Sequence, residues 1–81
     1  MADRRLRNNL RVLRFLAGEM TQTELGERIG VTRQTIAAIE AERYSPTLET
    51  AFRIAEVFGK PLEEIFIWEA MQDAPNRRRG R

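Results

Sequence analysis

Apolar residues along the chain recur in short stripes at helical spacing, each closed by polar punctuation. Leu6, Leu10, Leu13 and Leu16 or Ala17 fall three or four residues apart, which predicts a first helix over roughly Leu6 to Ala17. Gly18 stands where a left-handed residue would end it. Thr21-Gln22-Thr23-Glu24 has the pattern of a capping box. The second helix it opens buries Leu25 and Ile29 and stops at Gly30. Thr32 is a good N-cap for a third helix, about Arg33 to Ala41. Ile36 and Ile39 form its inner edge, and Arg33, Gln34, Ala37 and Ala38 face out. Pro46 holds Ser45 out of the helical region, so residues 43–46 read as a loop. Thr47 caps a fourth helix with Leu48, Ala51, Phe52, Ala55 and Phe58 inward, ended by Gly59. Pro61 suits the first turn of a fifth helix running through Phe66. From Gln72 onward little apolar side chain remains to bury. The expectation is one domain over residues 1–70 and a disordered basic tail over 71–81.

Helices two and three carry the most information. Two helices joined by a short turn that starts on glycine can pack at the steep angle of a helix-turn-helix. Such packing needs a small residue where the helices cross, and Gly26 follows Leu25 there. It needs a turn residue tolerant of positive φ, which Gly30 supplies. Val31, Ile36 and Ile39 are spaced to fill the wedge between the two helices.

Composition narrows the chemistry. With 81 residues the core is small, and with no cysteine and no histidine neither a disulfide nor a zinc site can staple it. No run of eighteen apolar residues suggests a membrane span, and a polar stretch follows the first arginines too soon for a signal peptide. A cytoplasmic protein without cofactor, metal or small-molecule ligand is expected. The net charge of +2 hides a segregation. Residues 1–14 hold five arginines against Asp3, residues 15–76 are acidic on balance, and the chain closes on Arg-Arg-Arg-Gly-Arg. Basic arms of this kind commonly contact nucleic acid, although surface charge accounts for them equally well.

The stretch Thr21–Glu40 (TQTELGERIGVTRQTIAAIE) resembles the DNA-binding motif of the Cro/CI-type repressors, the XRE family. Its sequel, Arg43-Tyr-Ser-Pro-Thr-Leu-Glu49 and Pro61-Leu-Glu-Glu-Ile-Phe66, resembles that family as well, so the likeness covers about residues 6–68. The short, single-domain regulators of the family are the nearest in kind. The resemblance implies an all-α, five-helix lambda-repressor-like domain whose third helix reads the major groove, usually from a symmetric dimer. The family's base-reading positions fall on Arg33, Gln34 and Ala38, with Thr32 and Thr35 beside them. The chemistry is apt: Arg33 suits guanine, Gln34 suits adenine, and Ala38 suits a thymine methyl. Gln22 matches a phosphate-contacting position next to Thr21, at a helix N-terminus that favours an anion. Arg43 and Tyr44 fall in the loop that borders the DNA backbone, though Tyr44 equally fits packing over the loop. On the first helix Arg14 is expected at a phosphate and Arg11 at the plain surface. Where the family usually has alanine, Gly26 is expected to soften helix two slightly without changing its geometry. The arginine tail has no family counterpart.

Phe52, Phe58 and Phe66 follow inward helical spacing and are expected in the core. Ile65, Phe66, Ile67 and Trp68 exceed what so small a core needs, and two readings stand. Either they close the core with Trp68 on its surface, or they form a dimer patch, with Ile67-Trp68 as a short terminal β-ribbon beside residues 4–8. The related short regulators favour the dimer.

Two other classes of function can be weighed against DNA binding. An enzyme lacks its usual parts here: no His, no Cys, no glycine-rich phosphate loop, and Glu63-Glu64 point about 100° apart on a helix. An antitoxin-type protein-interaction module would keep the same helix pair and use residues 65–81 for a partner. RNA binding is disfavoured, because the A-form major groove does not admit a helix.

Overall fold

The computed structural model describes residues 4–70; the expected disordered tail, 71–81, lies outside the described residues. The elements in chain order are β1 (Arg4–Asn8), α1 (Leu10–Leu16), α2 (Gln22–Ile29), α3 (Arg33–Glu40), α4 (Leu48–Phe58), α5 (Leu62–Ile65) and β2 (Phe66–Ala70). The two strands pair antiparallel, Leu6 opposite Trp68 and Asn8 opposite Phe66, so the architecture is a five-helix bundle closed by a two-stranded ribbon rather than purely helical. The pairing joins the two ends of the described chain, and the strand foreseen at Ile67-Trp68 beside residues 4–8 forms within one copy.

The first helix begins at Leu10, four residues later than the leucine spacing suggests. Two asparagines explain the shift, since their side chains compete with helical backbone bonds. Asn8 Oδ1 accepts from the Leu10 amide (3.1 Å), and Asn8 Nδ2 donates to the Ile39 carbonyl (2.8 Å). Asn9 donates through its backbone to Ile65 (3.0 Å) and through its side chain to the Glu64 carbonyl (3.0 Å). The chain is therefore held extended up to Asn9 and released into a helix after it. Leu6 still reaches the core, from the strand.

Three helices start on threonine as their sequences indicate. Thr21 and Glu24 form the reciprocal capping box, while Thr32 and Thr47 accept from the amides of Thr35 and Thr50. Gly18, Gly30 and Gly59 all have positive φ. The end of α3 is different. Glu42 at φ +62° follows the cap, with Glu42 N–H donating to Ile39 and Arg43 N–H to Ala38, the double bond of a Schellman turn normally built on glycine.

Leu10, Leu25, Ile36, Ile39, Ile54 and Ile65 are fully buried, each contributing on the order of 1.5–3 kcal/mol. The fourth helix departs from its expected stripe. Ile54 and Ala51 point inward, whereas Leu48 (68% exposed) and Phe52 (54%) lie outside, so Phe52 is not a core residue. Phe58 packs partly against the core. Helix five is shorter than expected, Pro61 standing before it as the cap. Ile65 and Phe66 complete the core, and Leu16 and Ala17 are exposed at the end of α1.

Gly26 has a stronger role than helix propensity. A Cβ there would lie 2.6 Å from the Val31 carbonyl oxygen and 3.3 Å from the Thr32 backbone. The same Gly26 carbonyl accepts from Gly30 (2.8 Å) and Val31 (2.9 Å), so the turn folds directly back over residue 26. Gly26→Val should force the turn off α2 and destabilise the domain by about 1–3 kcal/mol. Thermal melting followed by circular dichroism should show a drop of several degrees, on the order of 4–8 °C per kcal/mol for a domain of this size.

Candidate nucleic-acid interface

Helix α3 has one apolar edge and one open edge. Ile36 and Ile39 are buried against α2, while Thr32, Arg33 and Gln34 are exposed and Thr35 and Ala38 are half-buried. The five residues expected to read bases thus share the first turns of one helix. Thr32 is also the N-cap, its hydroxyl 3.1 Å from that of Thr35, so these two threonines fix the start of the helix as well as lining it.

Behind this surface runs a chain of polar contacts. Arg14 on α1 meets Glu40 on α3 in a two-pronged ion pair, Nε to Oε2 at 2.6 Å and Nη2 to Oε1 at 3.0 Å. Its remaining terminal nitrogen donates to the Met20 carbonyl (2.7 Å). The Gln22 amide donates to Glu40 Oε1 (3.1 Å), and Arg33 donates to Gln22 Oε1 (3.3 Å). Side-chain exposure at the ion pair is only 15% for Arg14 and 10% for Glu40. The hydrogen bond that Arg14 donates to Glu40 is the largest cause holding the Arg14 pKa above its ordinary value, against a smaller opposing effect of burial. Glu40 sits in the last turn of α3, where the helix dipole disfavours a carboxylate, and the guanidinium offsets that cost.

The network bears on two of the expected phosphate contacts. All three nitrogens of Arg14 are engaged inside the molecule, so it does not stand free for a phosphate. Gln22 does lie at the N-terminus of α2, half-buried, but as the link between α3's first and last turns. Thr21 is exposed with its oxygen occupied by the capping box, and Arg43 and Tyr44 are exposed in the loop after the Schellman turn. Glu40 was absent from the sequence-based site. The available signal was a lone carboxylate at a helix C-terminus, which has to find a cation elsewhere.

The N-terminal basic arm is partly neutralised. Arg7 pairs with Glu69 across the ribbon (3.1 Å) and approaches Glu42 (3.6 Å), and Arg5 reaches Glu42 at 3.9 Å. Hydrogen bonding and attraction to Glu69 raise the pKa of Arg7. Of the five arginines in residues 1–14, Arg4 and Arg11 have no such partner among the described residues. At the apolar end, Ile67 and Trp68 (65% exposed) lie outside, whereas Ile65 and Phe66 are inside the core and so not available to a second subunit. Among the described residues no cluster of three or more His, Cys, Asp or Glu could hold a metal, and no helix is long and apolar enough to cross a membrane.

A capped helix closed by a glycine turn, followed by a second helix with a buried inner edge and an open, polar outer edge, defines a helix-turn-helix protein. A sequence model described as helix-turn-helix matches residues 13–65, and the chain belongs to the Cro/CI-type (XRE) family of helix-turn-helix transcriptional regulators. It is 47% identical over 64 residues to an uncharacterised HTH-type transcriptional regulator of Methanocaldococcus jannaschii, covering 79% of this chain and 96% of that protein. A regulator similarly described from Methanothermobacter thermautotrophicus is 59% identical over 49 residues, 59% of this chain and 71% of its own. One from Bacillus subtilis is 43% identical over 61 residues, 75% and 91% respectively.

Removing Glu40 should strand a partly buried guanidinium. Glu40→Ala is expected to lower stability by about 2–3 kcal/mol, because charged hydrogen bonds are lost and the Arg14 charge stays desolvated. The double change Arg14→Met with Glu40→Leu should recover most of that loss, since replacing both partners by apolar groups is often neutral. Urea unfolding midpoints of the three proteins measure both effects.

Proposed function

We propose that the protein binds double-stranded DNA in the major groove through α3, as a homodimer, and regulates transcription as a repressor by occupying its site. The observation that supports this best is the outward turn of α3. Arg33 and Gln34 stand exposed at its start, on a helix whose opposite edge is locked by Ile36 and Ile39 and whose position is held by the Arg14–Glu40 pair. Arg33 then reads guanine and Gln34 adenine, with Ala38 at a thymine methyl and Thr32 and Thr35 beside them. Thr21, Gln22, Arg43 and Tyr44 supply contacts to the flanking phosphates, which set register without carrying sequence information. Of the partner segment that an antitoxin-type alternative needs, Ile65 and Phe66 are taken up by the core, while Ile67 and Trp68 stay exposed on the ribbon.

The dimer we propose uses a different surface from Ile65–Trp68. Leu48 and Phe52 lie one turn apart on α4, apolar at core-like spacing yet exposed in a single chain. A second copy laid on that face covers them, and a two-fold arrangement sets two recognition helices for successive major grooves, roughly 34 Å apart. Ile67 and Trp68 on the ribbon, and Val12, Phe15 and Leu16 on α1, are competing exposed patches.

Selection from random duplex DNA is expected to enrich a symmetric site. At that site Arg33→Ala and Gln34→Ala should each cost about 1–3 kcal/mol, while affinity for unrelated duplex changes little. If both variants bind the selected site as wild type does, α3 is not the reader. For the dimer, sedimentation equilibrium at micromolar concentration should show wild type and Trp68→Glu as dimers and Phe52→Glu as a folded monomer. A Trp68→Glu monomer beside a Phe52→Glu dimer would move the interface to the ribbon.

A further inference from the structure

A cleft of about 440 Å³ opens beside α3, with walls that include Asn9, Arg11, Gln22, Ala37 and Ala41. It brings the start of α1, the first residue of α2 and the last turn of α3 to one concave surface. The capping box satisfies the Glu24 amide, whereas the Gln22 and Thr23 amides have no intrahelical acceptor, so the α2 end of the cleft favours an anion.

Charge on the cleft walls is unevenly committed. Glu40 is neutralised by Arg14 at 2.6 Å, and Arg7 is shared between Glu69 and Glu42. The guanidinium of Arg11 makes no ion pair and no hydrogen bond among the described residues, although the side chain is exposed. Arg11 also lies in the first turn of α1, which contains no acidic residue. A cation at a helix N-terminus is disfavoured by the dipole by a few tenths of a kcal/mol, so helix stability does not account for it.

We propose that Arg11 binds a backbone phosphate of the duplex that α3 reads, filling on α1 the place for which Arg14 stands in the sequence. The inference rests on the DNA-binding function proposed above. A guanidinium takes two phosphate oxygens at once. The cleft lets the phosphate approach the Gln22 end of α2 together with Arg11, so the contact sets the register of α3 without reading a base.

The test is the salt dependence of binding to the selected duplex. Arg11→Gln should lower the log–log slope by about 0.9, one phosphate contact, with the preferred sequence unchanged. Its affinity deficit relative to wild type should then shrink about 3.5-fold between about 50 and 200 mM salt. Arg11→Lys should keep the wild-type slope, because a phosphate accepts either cation, and both variants should melt like wild type. An unchanged slope in Arg11→Gln, with wild type binding specifically, overturns this proposal alone. So does an altered sequence preference, or early melting that would make Arg11 part of the fold. A wild-type protein that selects no duplex overturns the DNA-binding function and this contact together.

Discussion

The ion pair between Arg14 and Glu40, extended by Gln22, links three helices through directional contacts. Arg14 leaves the last turn of α1, Glu40 the last turn of α3, and Gln22 enters from the first turn of α2. An apolar wedge of Leu25, Ile36 and Ile39 is non-directional and tolerates sliding. The two-pronged guanidinium–carboxylate contact does not, because its planar geometry admits one orientation. Both charges sit at helix C-termini, where the dipole favours the Arg14 cation and disfavours the Glu40 carboxylate. The cost of burying charge is met by the Met20 carbonyl and the Gln22 amide, which satisfy what the pair itself leaves open.

Holding α3 rigid matters more than holding it tightly. On the proposed function, α3 presents Arg33 and Gln34 at a fixed depth and angle, since small displacements misplace a bidentate contact. Arg33 is linked through Gln22 to the same carboxylate that anchors the end of its helix. The proposed reading surface and the structural network therefore share the Gln22 side chain. The ribbon adds a second restraint. Asn8 ties β1 to the Ile39 carbonyl near the end of α3, and Glu42 gathers arginines from β1 beside the turn that follows.

Electrostatics divide the arginines into two populations. Arg5, Arg7, Arg14 and Arg53 face carboxylates at 2.6–3.9 Å. Arg4, Arg11, Arg28, Arg33 and Arg43 have no such partner among the described residues. Net charge and charge runs cannot separate these populations, since every guanidinium counts equally in a sequence. Surface pairs of the Arg53–Glu49 kind add little stability, yet they do remove a cation from any pool available to an anionic ligand.

Much of the fold is local, and to that extent the sequence alone determined it. The threonine caps, the glycine turns, the small residue at the helix crossing and the inner edge of α3 all follow from interactions within a few residues. That is why the helix-turn-helix and its exposed Arg33 and Gln34 were legible. Contacts between distant segments were decided only by the tertiary structure. Leu6 keeps helical spacing with Leu10 but lies in a strand, because Asn8 and Asn9 bond to Ile39, Glu64 and Ile65, residues far away along the chain. Phe52 keeps core spacing but stays outside, because α4 rotates to seat Ile54 instead. Ile65 and Phe66 turn inward while Ile67 and Trp68 remain at the surface, a split set by pairing with β1. Arg14 and Glu40, 26 residues apart, find each other only when three helices meet. Periodicity reports that a face exists; which face meets which neighbour is a property of the packed whole.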